Sequence, residues 1–236
     1  MLNNAAEYFI DPKRVVISGD SAGGQLALSV GMSLHHDGYN VNGIVAMYPI
    51  TQIITGTTRS YIQNQFILDA DACGWGVSLY VYGDVTLVKA FQDGELYNAA
   101  LAHDNELVSD RFQYQDTHHF ANTTEAISLD RGGIETLFDP RVSPLLASNE
   151  LLREMPATHI YAAEFDPLRD DSILFYNAAK RAGNSNIKLT VWQGAFHIEQ
   201  LFSSFWMNQS LMPQSDIWIS DYLNTILELT SSNLTE

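Results

Sequence analysis

The chain has 236 residues, 46% of them apolar and 17% charged, which suits one folded core, or a core with an inserted cap, and excludes a disordered chain. Its 12 basic and 28 acidic residues give a formal charge of −16, a surface that repels phosphate backbones and argues against a nucleic-acid partner. Cys73 is the single cysteine, so no internal disulfide forms and a buried apolar thiol is expected; no apolar run reaches the ~18 residues of a membrane span.

In chain order, Asn3 to Phe9 lacks the basic and apolar regions of a signal peptide. It reads as the last turns of a helix, stopped by Asp11-Pro12. Arg14 to Ser18 reads as a buried parallel strand. A helix from Gln25 to His36 follows, with Leu26, Ala27, Val30 and Met32 as its apolar stripe, and stops near Gly38. Gly43 to Tyr48 is the next strand, closed by Pro49, and the three elements make a right-handed βαβ unit.

Between the first strand and that helix lies Gly19-Asp20-Ser21-Ala22-Gly23-Gly24. Strand, sharp turn and helix are the context that a G-x-S-x-G nucleophile elbow requires. The turn strains the serine backbone, and Gly19 and Gly23, two residues away on either side, are expected to relieve the crowding. Ser21 then stands at the carboxyl end of the strand, with the Ala22 N–H aimed at a developing oxyanion. The plain alternative is a glycine-rich turn with an incidental serine. No Gly-Lys-Ser/Thr follows and no G-x-G-x-x-G is present, so a P-loop and a dinucleotide site are excluded.

From Thr51 to about Pro156 the strand–helix alternation lapses, too long a stretch for a plain loop. Gln63 to Tyr82 carries Phe66, Leu68, Trp75, Leu79 and Tyr80 at helical spacing, and Gln113 to Asp130 is polar. A partly helical cap over 51–155 is expected between core segments 1–50 and 156–236; a helical lobe with no role at the site is the alternative. Asn122, Asn208 and Asn233 head possible glycosylation sequons. Alternation resumes with a strand over Thr158–Ala163, a helix over Leu168–Arg181 bearing Ile173, Leu174, Tyr176 and Ala179 on its apolar side, and a strand over Ile187–Trp192. An amphipathic helix closes the chain over Asp216–Leu229, with Ile217, Trp218, Tyr222, Leu223, Ile226 and Leu227. The strands are expected to pair in sequence order, all parallel.

A serine nucleophile needs a base and an acid that orients it, and where the serine sits on such a strand-to-helix elbow the chain order is Ser, Asp or Glu, His. Asp166 and His197 each follow a predicted strand, where a parallel sheet places its chemistry. Asp170 and Asp171 suit helix capping better, and Arg169 a local ion pair. His159 reads as a packed strand residue; His35 and His36 close a helix; His118 and His119 fall in a polar loop; His103 lacks strand context. None of these is spaced as a metal-ligand set, so no metal or other cofactor is expected.

These segments resemble the hormone-sensitive-lipase group of α/β-hydrolase esterases, most of all its arylacetamide deacetylase and neutral cholesterol ester hydrolase branch. The likeness rests on Gly19 to Gly24, Asp166-Pro167-Leu168-Arg169-Asp170-Asp171 and Gly194-Ala195-Phe196-His197, with Tyr48-Pro49 and Ser143-Pro144-Leu145-Leu146 in support. Asp20 before the serine fits this group better than the type-B carboxylesterases. The resemblance implies an α/β-hydrolase fold with Ser21 as nucleophile, Asp166 as orienting acid and His197 as general base. It implies a small-molecule ester or aryl amide as substrate, and an endoplasmic-reticulum location, membrane or lumen, for a full-length form. Two departures stand out. The family places glycine after its histidine, where this chain has Ile198. Its upstream His-Gly-Gly-Gly oxyanion motif is missing, Gly132-Gly133 being the only other glycine pair. The chain therefore reads as the carboxyl-terminal part of a larger hydrolase. The rival readings are a ligand-binding relative, as in plant gibberellin receptors that have replaced the histidine, and an inactive remnant. Phe202, Phe205 and Trp206, with aromatic cap residues, are candidates to wall an apolar acyl pocket, packing being the default role of each.

Overall fold

The computed structural model describes residues 2–113, 123–205 and 212–231. Four parallel strands form one sheet in sequence order: β1 (Val16–Asp20), β2 (Gly43–Met47), β3 (Ala157–Phe165) and β4 (Ile187–Phe196). The register pairs Val16 with Gly43, Gly43 with Ala157, and Thr158 with Ile187. β2 is buried along its whole length, and its continuous apolar run Gly-Ile-Val-Ala-Met is the signature of a strand covered on both faces.

Period-2 alternation sends β2 side chains into two cores. Ile44 and Ala46 join Leu28, Ile160, Leu174 and Phe175 on one face, under α1 (Ala22–His36) and α9 (Arg169–Arg181). Val45 and Met47 join Tyr161, Trp192, Trp218 and Tyr222 on the other, under α10 (Pro213–Ser231). Gly31 allows the close seating of α1, because a Cβ there would come within 2.5 Å of Ile44.

The segment between β2 and β3 is helical: α2 (Arg59–Gln63), α3 (Ala70–Tyr82), α4 (Val88–Asp93), α5 (Glu95–His103), α6 (Asn105–Arg111), α7 (Arg131–Leu137) and α8 (Asn149–Glu154). Its Tyr61, Phe91, Leu96 and Leu137 lie in the same apolar cluster as Ile44 and Ile160, so the insertion shares one core with the sheet. No helix among the described residues is long and apolar enough to cross a membrane.

Several expectations shift. β1 starts and ends two residues later than Arg14–Ser18, because Gly19 and Asp20 still pair with Ala46 and Met47. The segment before it is a 3-10 turn over Leu2–Tyr8, interrupted at Asn4 (φ −124°, ψ 32°), rather than regular helix. On α1, Leu26 and Val30 are 49% and 44% exposed, while Leu28 takes the core position between Ala27 and Met32. α3 starts at Ala70, capped by the Asp69 carboxylate accepting the Ala72 N–H at 2.7 Å. Its packed face is Cys73, Gly74, Val77 and Ser78, small residues that admit α4, so Trp75, Leu79 and Tyr80 point outward. On α10, Ile217 and Leu227 are exposed and Ile219 is buried instead. β4 runs on to Phe196, which pairs with Phe165 beyond an irregularity in β3.

Candidate active site

Ser21 follows directly on β1 and has φ 55° and ψ −121°, a region that a non-glycine residue enters only under constraint. Its N–H donates to the Met47 carbonyl at 2.9 Å, tying the turn to the end of β2. A Cβ on Gly19 would lie 2.2 Å from the Gly23 carbonyl oxygen, so glycine is obligatory there. Gly24 is also tight, 3.0 Å from the Met47 oxygen and from Pro49. Gly23 is not crowded: its nearest neighbour would be an Asp20 carboxylate oxygen at 3.9 Å. The crowded pair is therefore Gly19 and Gly24, rather than Gly19 and Gly23. Ala22 is exposed and opens α1, so its N–H has no acceptor within the helix.

Asp166 lies one residue past β3 and is fully buried. One carboxylate oxygen accepts the Leu168 N–H at 2.8 Å. The other accepts from Nδ1 of His197 at 2.7 Å. That bond places the ring proton on Nδ1 and leaves Nε2 as an acceptor, 3.0 Å from the Ser21 hydroxyl. Ser21, His197 and Asp166 are thus brought together, although 176 and 31 positions separate the two pairs in sequence. The Tyr48 ring lies against the imidazole at 4.7 Å, and burial raises the Tyr48 phenol well above its ordinary value.

The loop carrying His197 is held at both ends. Gly194, at φ 80°, donates its N–H to the Glu164 carboxylate at 2.7 Å. The Phe196 N–H donates to the Glu199 carboxylate at 3.0 Å, a group whose pKa burial raises. Ile198 has φ 60°, the left-handed conformation that glycine would adopt freely and that costs a β-branched residue ~1–2 kcal/mol. The turn is kept despite the departure from the family's glycine.

The loop carrying Asp166 is stitched to α2. The Ser60 N–H donates to Asp170 Oδ2 at 2.8 Å, and Ser60 Oγ donates to the Pro167 carbonyl at 2.6 Å while accepting the Asp170 N–H at 3.1 Å. Asn64 Nδ2 donates to the carbonyls of Glu164 and Asp166 at 3.3 and 3.2 Å. Asp171 accepts the Thr51 N–H at 3.1 Å and Gln52 Nε2 at 3.0 Å; burial pushes its carboxyl up to about 8. Asp170 and Asp171 do lie in the first turn of α9, where negative charge suits the dipole, but neither makes a cap hydrogen bond; both are buried where α9 meets residues 51–60 and reach back to the start of the insertion. These contacts span 100 to 120 positions, and no local pattern in the sequence marks them.

The other candidates lie away from Ser21. Arg169 pairs with Asp170 at 3.1 Å. His159 is half-buried, stacks on Tyr161 and bonds Thr190 at 2.8 Å, and burial lowers its pKa. His35 and His36 close α1, and His103 ends α5 against Phe138. Cys73 is buried, and burial raises its thiol pKa far above the ordinary value. Among the described residues, no three His, Cys, Asp or Glu side chains are grouped to hold a metal. His118, His119, Asn122, Trp206, Asn208 and Asn233 lie outside the described residues.

Two hollows flank the site. One, of about 510 Å³, is lined by Gln63 to Phe66 with Phe165 and Phe196, next to the His197 loop. The other, of about 250 Å³, is apolar and lies beside Ala22. Phe202 and Phe205 line neither; Phe202 packs on Phe196 and Phe205 is exposed.

The sequence is similar to neutral cholesterol ester hydrolase 1 of Bos taurus, with 27% identity over 219 residues, covering 87% of this chain and 53% of that protein. It is also 30% identical over 188 residues to arylacetamide deacetylase of Oryctolagus cuniculus, covering 75% of this chain and 47% of that protein. The chain thus spans about half the length of these relatives. Carboxyl esterase 2 of Tuber melanosporum shares the fold, with a TM-score of 0.64 at 17% identity over 97% of this chain and 57% of that one. So does an esterase from Pyrobaculum calidifontis, with a TM-score of 0.62 at 19% identity over 98% and 55%. Residues 1–92 and 116–201 match the family described as alpha/beta hydrolase fold; with the parallel sheet and the helical insertion, this chain belongs to that family.

Proposed function

We propose that this chain carries the nucleophile, base and orienting acid of a serine hydrolase acting on carboxylic esters or aryl amides, with Ser21, His197 and Asp166 in those roles. The carrying observation is the unbroken relay from Ser21 Oγ to Nε2 at 3.0 Å and from Nδ1 to the buried Asp166 carboxylate at 2.7 Å. His197 takes the hydroxyl proton as Oγ bonds to the carbonyl carbon, and the tetrahedral adduct collapses as the alcohol or amine leaves with that proton. Water, deprotonated by the same imidazole, then attacks the acyl-enzyme and releases the acid. Asp166 fixes the tautomer and stabilises the imidazolium; the Ala22 N–H serves as one donor to the oxyanion. Residues 1–50 and 156–236 form the core in this reading and 51–155 the cap. No cofactor enters any step.

The names of the relatives supply the substrate class: a neutral cholesterol ester hydrolase and an arylacetamide deacetylase both act on acyl bonds. The test is rapid mixing with 4-nitrophenyl acetate. A burst of one 4-nitrophenol per chain, with the acetyl group mapped to Ser21 and absent in Ser21→Ala, is the expected result. Release of 4-nitrophenol unchanged in Ser21→Ala rejects the assignment.

A further inference from the structure

Two unfavourable residues stand side by side directly after His197. Ile198 holds φ 60°, a conformation that disfavours a β-branched residue by roughly 5- to 30-fold. Glu199 is 3% exposed, and among the described residues no basic group faces its carboxylate, a costly setting for a charge. Together the two close one turn. Glu199 Oε2 accepts the Phe196 N–H at 3.0 Å, forming a ring that encloses His197 and Ile198. Oε1 accepts from Ser215 Oγ at 3.4 Å, which ties the same carboxylate to α10. The other side-chain bond to this loop, from the Gly194 N–H to Glu164, is exposed and lies three residues from His197.

We infer that Glu199 is a positioning residue for His197: its carboxylate stabilises the turn that Ile198 resists, and so keeps Nε2 within hydrogen-bond reach of Ser21. The inference rests on the hydrolase reading above. Magnitudes decide it. A hydrogen bond from an N–H to a charged group shifts an equilibrium by roughly 10- to 150-fold, enough to offset the 5- to 30-fold set against Ile198. Without that bond the turn relaxes toward an ordinary negative φ and carries the imidazole with it, and a displacement of ~1 Å can cost ~10²-fold in rate. Acylation and deacylation both pass through His197, so the loss falls on kcat with KM little changed.

Glu199→Met and Glu199→Gln test this, because both keep the volume of the side chain and only glutamine keeps an acceptor for the Phe196 N–H. With 4-nitrophenyl acetate, Glu199→Met is expected to lower kcat roughly 10- to 100-fold with KM within about threefold, and Glu199→Gln to keep at least about a third of kcat. In an Ile198→Gly background the turn forms freely, so Glu199→Met should there lower kcat by less than about threefold, a coupling that a general loss of stability does not produce. Equal losses in the two backgrounds, equal losses in the Met and Gln variants, or an unchanged kcat in Glu199→Met overturn the inference while the hydrolase reading stands. If Glu199→Met alone does not fold, the chain carrying Ile198→Gly and Glu199→Met decides. A folded chain with kcat near that of Ile198→Gly supports the inference, and one no more active than Ser21→Ala overturns it. Failure of the wild-type chain to be acetylated on Ser21 rejects both readings.

Discussion

The two flanks of Ser21 are built differently. On the histidine flank the backbone turns are held by side chains: the buried Glu199 on Phe196 and Ser60 on the loop of Asp166, and the half-buried Glu164 on Gly194 and Asn64 on the loop of Asp166. On the Ala22 flank the turn is held mainly by sterics and by the bond from the Ser21 N–H to Met47. There β1 is the edge of the sheet among the described residues, Ala22 is exposed and Gly23 is uncrowded. The proton transfer proposed for His197 demands a fixed geometry, and the braced flank suits that demand. Oxyanion stabilisation demands convergent donors, and among the described residues the open flank offers one identified N–H.

The largest effects are expected on the braced side. Ser21→Ala or His197→Ala should reduce kcat by ~10⁴-fold or more, and Asp166→Asn by a comparable factor, because the amide favours the wrong tautomer. Asp170 and Asp171 cannot stand in for Asp166, since their carboxylates are engaged with Ser60, Thr51 and Gln52. Steady-state hydrolysis of 4-nitrophenyl acetate by the three variants checks this.

The glycines sharpen the comparison next. Gly19→Ala drives a methyl group to 2.2 Å from the Gly23 carbonyl and should cost about 1–3 kcal/mol or more, with loss of Ser21 reactivity. Gly23→Ala meets nothing closer than 3.9 Å and should be neutral, or stabilise by ~0.4–1 kcal/mol by restricting the unfolded chain. Urea unfolding of both variants decides whether the elbow's crowding is one-sided.

A smaller effect is expected at Ser60. Ser60→Ala removes a hydroxyl that both donates to Pro167 and accepts from Asp170, leaving buried groups unpaired at a cost of about 1–3 kcal/mol. If the stitch positions Asp166, the downfield proton resonance of the His197 Nδ1–H should broaden or shift in this variant. An unmoved resonance reduces Ser60 to a purely structural role.

Asp171 gives the mildest test, read through pH. Its folded-state pKa of about 8 stands above the ~3.9 of an unfolded aspartate, so between those values the folded chain holds a proton that the unfolded chain has lost. This contribution to stability is full below about pH 4 and is lost as pH rises through about 8. Melting temperature should therefore fall over that window, ~2–4 °C for each kcal/mol, and Asp171→Asn should flatten the slope.

Much of this was legible in the sequence, for local reasons. The four strands were visible because each is a short apolar run bounded by turn residues, and Ser21, Asp166 and His197 because each follows such a run. The errors came where a pattern fits two faces of one helix. On α3 the bulky Trp75, Leu79 and Tyr80 outweighed Cys73, Gly74 and Val77, yet the small residues pack because α4 passes close by. Leu26 and Val30 on α1 differ from expectation in the same way: both are exposed, while Ala27, Leu28 and Met32 face the core. The stitch from α2 to the Asp166 loop was invisible because its partners lie more than a hundred positions apart.

The central claim is that Ser21 is a nucleophile activated by His197, and labelling of the folded chain with a fluorophosphonate tests it most directly. The account predicts one adduct per chain, mapped to Ser21, formed at least ~10³-fold more slowly in His197→Ala and absent in Ser21→Ala. An adduct on another serine, or a rate unaffected by His197→Ala, would contradict it.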